Sequence, residues 1–206
     1  MTYKTRFILT ATLLFGMIMQ LPAQKSFTIQ QKSAQCAKIR SACRHAWQGY
    51  KKHAAGFDAL MPISKKGHNW YGVSFLMTPL DAFDTFYLLE LKAEAEEAKE
   101  MVVTGLNFDQ DVEVQLFEVN IRLMGGLISA YELTGDQRLV ALANDLGVRL
   151  LPAFNSPTGM PYRYVNLKTG HTRDSLSNPA EIGTYLLEFG KLTTYTGDSI
   201  YYKTAK

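Results

Sequence analysis

Two side chains of opposite charge, Glu118 and Arg122, stand four residues apart in the run VQLFEVNIRLMGGLISAY (114–131), which has the length and apolar spacing of a helix. Four residues is a little more than one helical turn, so the carboxylate and the guanidinium share a face. Most pairs at this spacing lie in solvent and contribute little. Here Leu116, Phe117, Val119, Ile121, Leu123 and Met124 surround the pair, and ionised groups among apolar neighbours are costly without a partner and a use. Two readings stand on the residues alone: a structural ion pair, or a carboxylate set in a cavity for proton transfer. Further acids that could join it are Asp81 and Asp84, one turn apart in LDAFDTFYLLELKAEAEEAKEMVV (80–103), and Glu181 in PAEIGTYLLEFGKLTTYTGD (179–198). The helix dipole also favours acids at helix starts, so a purely structural role stays open for Asp81 and Asp84. His45, His53, His68 and His171 are scattered, and CxxC and HExxH patterns are absent, so no transition-metal site can be argued.

The elements that must hold these acids read as helices in pairs. Residues 31–54 have a helical pattern with Ile39, Trp47 and Tyr50 among long polar side chains. GFDALMPISKKGHNWYGVSF (56–75) is loop-like, and its aromatics either line a cleft or belong to an ordered surface loop. Thr78 suits a helix N-cap, Pro79 the first helical position and Asp81 the first turn of the run that follows, whose KAEAEEAKE is a solvated face. The chain then enters the helix of Glu118 through Asp109, Asp111 and Glu113. Thr134-Gly135-Asp136 ends that helix with a glycine cap and starts another over Arg138–Leu151, which Pro152 stops. A long connection (152–178), with room for brief strand pairing, leads to the helix of Glu181.

Thr196-Gly197-Asp198 repeats the turn 62 residues on; Asp136 follows Glu118 by 18 residues and Asp198 follows Glu181 by 17, so the two glutamates hold equivalent places. A unit of helix, TGD turn, helix and long loop buries its apolar faces by stacking on its neighbours. A ring of such units would bring acids at the starts of inner helices to one mouth. The chain ends at YYKTAK, about two turns into the helix after Asp198, so an N-terminal piece of a longer domain is expected.

With 206 residues, 47% of them hydrophobic, the chain can bury a core. The net charge of +3 includes no basic tract longer than a pair such as Lys65-Lys66, and no nucleic-acid partner is expected. Lys4 and Arg6 precede a largely apolar run of 15 residues from Phe7 to Leu21, then Pro22-Ala23-Gln24. This reads as a signal peptide over residues 1–24; an uncleaved anchor is the alternative, although the run is short of the roughly 20 residues a spanning helix needs. Residues 25–206 are then one exported domain, secreted or periplasmic and free of the membrane after cleavage. Cys36 and Cys43, seven residues apart, would be separated by about 10.5 Å along the axis if their flanks form one helix, beyond reach of a disulfide to each other, so both are expected as small core or semi-buried thiols, with their redox state left open.

Taken in order, TPLDAFDT (78–85), LFEVNIRLMGGLISAY (116–131), LTGD (133–136), LLPAFNSPTGMPY (150–162), VNLKTG (165–170) and 180–198 resemble glycoside hydrolase family 47, the class I α-1,2-mannosidases. The resemblance runs from about Trp47 to the end of the chain, with Phe83 and Phe86 in place of smaller aliphatic residues. It implies an all-α fold, an (α/α)7 barrel of which this chain supplies about the first three hairpins. It also implies a monomeric exo-acting hydrolase that removes α-1,2-linked mannose from a mannose-containing oligosaccharide with inversion. Glu118 matches the family's general acid, Arg122 an arginine that contacts substrate, and Glu181 and Asp81 acids of the sugar-binding region. The catalytic base and the ligand of the family's Ca2+ would lie beyond residue 206, so the chain by itself is expected to be inactive. A mannosidase-like protein that binds glycans with weak or no catalysis is the alternative.

Overall fold

The computed structural model describes residues 26–206; the signal peptide read in residues 1–24 lies outside them. The chain divides into two units, Met1–Ile39 and Arg40–Lys206. In the first, residues 26–39 are described and all are exposed. Helix α1 (Ile29–Ala54) begins here, two residues ahead of the expected start. The reason is a reciprocal cap: Gln31 N–H donates to Thr28 Oγ1 at 3.2 Å, and Thr28 N–H to Gln31 Oε1 at 2.9 Å. Both cysteines are free. Cys36 is exposed instead of semi-buried because this part of α1 offers every side chain to solvent; Cys43 is half-buried. No helix among the described residues is long and apolar enough to cross a membrane.

The second unit is mostly helical, in three successive hairpins. The first pairs α2 (Met77–Leu88) with α3 (Lys92–Gly105). In the second, α4 (Leu116–Val119), a π turn (Asn120–Met124) and α5 (Gly125–Thr134) make one rod that folds back as α6 (Gln137–Leu150). The third pairs α7 (Pro179–Thr196) with α8 (Ser199–Ala205). Helix α5 packs between α2 and α7, while α6 packs on α3 and, through Tyr201 and Asn144, on α8. Two layers result, α2–α5–α7 and α3–α6–α8, over a core that includes Leu80, Phe83, Leu123, Leu127, Leu146 and Phe189. Gly126 lets two helices of the first layer approach: a Cβ there would sit 2.7 Å from Leu80 Cγ. Phe83 and Phe86 are both buried, Phe86 edge-on to Trp47 with centroids 5.1 Å apart, so the larger rings fill the core instead of straining it.

Three expectations change. The run 80–103 is two helices, broken at Leu89–Leu91, where Glu90 takes φ +59°. The N–H groups of Glu90 and Leu91 reach back to Tyr87 O and Phe86 O, Leu91 is buried, and Arg40 Nε donates to Leu89 O at 2.7 Å. This is a helix end usually marked by glycine. Second, the fold is not wholly α. Strands β1 (Ala59–Met61) and β2 (Lys66–His68) form a hairpin, and β3 (Glu113–Gln115), β4 (Tyr164–Asn166) and β5 (Thr172–Arg173) a small antiparallel sheet. Third, Val114 and Gln115 therefore precede the helix of Glu118: Val114 pairs with Val165 in β4, and both are fully buried.

The two TGD turns are alike bond for bond. Gly135 and Gly197 have φ +72° and +76°, and their N–H groups donate to Tyr131 O and Thr193 O. Thr134 and Thr196 each donate a hydroxyl back one turn and accept the N–H of Asp136 or Asp198 at 3.2 Å. Each aspartate then caps the next helix, at Arg138 N–H and Ile200 N–H. The repeat read in the letters is a repeat of structure.

Candidate active site

Asp81 is placed by a residue that spacing did not single out. Asp58, only 1% exposed, accepts N–H bonds from Phe75 (2.6 Å), Met77 (3.4 Å) and Trp70 (3.1 Å), and lies 3.4 Å from the Ser74 hydroxyl. Its carbonyl accepts both the N–H and the hydroxyl of Thr78. Thr78 is thus a tether inside the first turn and not the N-cap; the cap position is Leu76, held at φ +52°. Asp81 follows as the fifth residue of α2, past the first turn where it was expected. The helix starts early because Asp58 supplies from a distance what a cap would supply locally.

Glu118 is the third residue of α4, as Glu181 is of α7. The intervals to the TGD aspartates differ by one residue, and the π turn accounts for it: it admits one extra residue into the rod before the same turn is reached. Inside that turn, Arg122 Nε donates to Glu118 Oε2 at 2.8 Å and Arg122 Nη1 to Asp81 Oδ2 at 3.1 Å. The guanidinium carbon lies 4.9 Å from the centre of the Trp70 ring, a cation–π contact. Three expected site residues, Glu118, Arg122 and Asp81, therefore meet, with Trp70 as a fourth member. A cavity of about 360 Å3 opens beside Glu118, lined also by His68, Trp70, Tyr71, Gln115 and Tyr164. The aromatic loop does line a cleft. A larger cavity of about 430 Å3 beside Phe83, Tyr87 and Lys92 holds none of the four candidates, and Glu118 argues for the smaller one.

Burial raises the Asp81 carboxyl above its ordinary 3.8, against the lowering by Arg122 and with the help of Asp84 and Glu118. A carboxyl raised in the folded state binds more protons there, so its contribution to stability is fullest below 3.8 and is lost as pH rises through the folded value. The melting temperature of Asp81→Asn minus that of the unaltered chain should accordingly increase as pH rises across this window. A difference that stays flat or falls would contradict the burial that lifts Asp81.

Glu181 is not joined to the other three and does not line their cavity. It is 9% exposed; Oε1 accepts from Asn178 Nδ2 (3.0 Å) and Arg163 Nη2 (3.2 Å), while its N–H donates to Asn178 Oδ1 (3.0 Å). Glu181 Oε2 and Arg163 Nε are buried without a partner. Arg163 links the two helix starts, because its carbonyl accepts the N–H of Leu116 at 2.9 Å. The two glutamates thus share one end of the helical layer through Arg163, not through a common cavity. Arg163 lies in the PYRYVN segment with no spacing signal of its own.

Together these groups present a carboxylate at a cleft with one oxygen, Oε2, held by protein and the other, Oε1, without a protein partner among the described residues. That arrangement suits proton delivery to a bound oxygen. Among the described residues no group of three or more His, Cys, Asp or Glu side chains could hold a metal ion.

Comparison with known proteins gives a consistent result. The model of glycosyl hydrolase family 47 matches residues 42–206. Over 158 residues the chain is 45% identical to a human endoplasmic reticulum mannosyl-oligosaccharide 1,2-alpha-mannosidase, covering 75% of this chain and 22% of that protein. It is 41% identical over 196 residues to mannosyl-oligosaccharide 1,2-alpha-mannosidase IA of Sus scrofa, covering 91% and 29%. The structure of an alpha-1,2-mannosidase from Trichoderma reesei superposes with a TM-score of 0.76 at 28% identity, covering 84% of this chain and 39% of that one. The chain spans less than a third of the length of these two mammalian relatives.

Proposed function

We propose that this chain, which belongs to glycosyl hydrolase family 47, carries the general acid of an exo-α-1,2-mannosidase that trims terminal α-1,2-linked mannose from mannose-rich glycans with inversion. The observation that carries this reading is Glu118 at the edge of an aromatic cleft, held by Arg122 through one oxygen only. In the proposed step, Glu118 Oε1 delivers a proton to the glycosidic oxygen as the C1–O bond breaks and its electron pair passes to that oxygen. Water adds to C1 from the opposite face and yields its proton to a base, roughly 6.5 to 9.5 Å from the acid in an inverting enzyme. Arg122 fixes Glu118, Asp81 holds Arg122, and both contact the sugar; Glu181 acts on the neighbouring sugar subsite through Arg163, whose guanidinium it orients.

The base and the calcium ligands would come from polypeptide outside residues 26–206, and the two layers of helices here would continue into an (α/α)7 barrel. The 206-residue chain alone is then inactive. The leader pattern in residues 1–24 supports export, to the periplasm or beyond. The test is mannose release from α-1,2-mannobiose by the complete polypeptide, with and without a chelator. Release that the chelator abolishes is expected; no release under either condition overturns the proposal in favour of glycan binding without turnover.

A further inference from the structure

The apolar stripe of α7 carries two acids, Glu181 at its start and Glu188 in its middle. Tyr185, Phe189 and Leu192 are buried, and Glu188 shares their face, beside Phe189 and about one turn from Tyr185 and Leu192. Its Oε2 accepts from Asn120 Nδ2 at 2.8 Å. Asn120 is fully buried and opens the π turn, and its Oδ1 has no partner. Across the same turn, a Cβ on Gly125 would stand 3.7 Å from both Cγ and Oε1 of Glu188, and Gly125 N–H donates to Asn120 O. Glu188 therefore spans the one place where the rod departs from α geometry, and burial raises its carboxyl above the ordinary value.

π turns are rare, and they appear mostly as single-turn bulges inside α-helices, frequently at functional sites. Were this one to relax to α geometry, residues on one side of it would advance by one position, a rotation of about 100°. The far side is fixed: Leu127, Ile128 and Ala130 are in the core and Gly135 ends the helix in the TGD turn. The near side, with Glu118, would have to turn.

We propose that Glu188 is a positioning residue for the Glu118–Arg122 pair, clasping Asn120 so that the π turn keeps Arg122 between Glu118, Asp81 and Trp70. The significance of that placement for catalysis rests on the function proposed above, but the clasp can be tested without sugar. Trp70 lies against Arg122 and is 41% exposed, whereas Trp47, the only other tryptophan, is 2% exposed, so tryptophan emission reports on the Arg122 contact. Arg122→Met in the 206-residue chain sets the scale. Glu188→Met, which fills the space but cannot accept from Asn120, should shift emission in the same direction and at least roughly half as far. Glu188→Gln, which can accept from Nδ2 and donate to the unpartnered Oδ1, should leave it near that of the unaltered chain. If Glu188→Met shows no cooperative melt, Asn120→Ser is read in its place, since it opens the clasp from the other end. Emission unmoved by Glu188→Met or its substitute, or moved as far by Gln as by Met, overturns the proposal. In the complete polypeptide Glu188→Met should lower kcat roughly 100-fold with KM changed less than about threefold, and Gln should restore most of the loss. A complete polypeptide with no turnover at all would remove the role of Glu118, and the emission comparison would still decide the clasp.

Discussion

Replacing Glu118 with glutamine should lower mannose release from α-1,2-mannobiose by roughly 10³-fold while leaving sugar binding within a few-fold. The variant keeps the size of the side chain and an oxygen for the 2.8 Å bond from Arg122 Nε, so the cleft and the Arg122–Asp81 contact keep their shape. What it loses is an ionisable proton next to the departing oxygen. A mannose leaving group is an alkoxide of very high basicity unless it is protonated as it departs, and for that reason the loss falls on kcat and not on KM. A turnover rate within tenfold of the unaltered enzyme would show that some other group supplies the proton.

Asp58→Ala should destabilise the second unit by about 3 to 5 kcal/mol. The carboxylate is buried and accepts from Phe75 N–H at 2.6 Å and Trp70 N–H at 3.1 Å, and bonds to an ionised acceptor are the stronger kind. Alanine leaves those donors without an acceptor, and it removes the bonds that hold Leu76 at φ +52°, a conformation that costs a non-glycine residue about 1 to 2 kcal/mol and persists only with such support. The loss is a large share of the 5 to 15 kcal/mol typical of folded domains. Urea unfolding followed by circular dichroism measures it, and a change below about 1 kcal/mol would mean that the start of α2 is held by packing alone. Asp58→Asn, which keeps one acceptor oxygen, should cost about half as much.

The letters revealed the helical hairpins and the site to different degrees, for physical reasons. Gly135 and Gly197 could be read as helix ends because a left-handed cap favours glycine, and the TGD repeat then paired Glu118 with Glu181. The break at Glu90 was hidden because a glutamate takes the left-handed position there, and its support, Arg40, lies far away in the sequence. The Glu118–Arg122 pair was legible because four-residue spacing within an apolar run has few interpretations. Its supports were not: Asp58, Arg163 and Glu188 act through contacts between segments, and each looks ordinary among its sequence neighbours. The single-residue difference between the two glutamate-to-TGD intervals was the one trace of the π turn in the sequence. Equivalent positions also did not mean a shared cavity, because Arg163 occupies the space next to Glu181 and ties up its carboxylate.

The assignment of Glu118 as the proton donor is tested most directly by changing the leaving group. On α-mannosyl fluoride, whose fluoride departs without protonation, Glu118→Gln in the complete polypeptide should turn over within about tenfold of the unaltered enzyme, although it has lost roughly 10³-fold on mannobiose. An equal fall on both substrates would contradict that assignment and leave Glu118 a role in binding or structure alone.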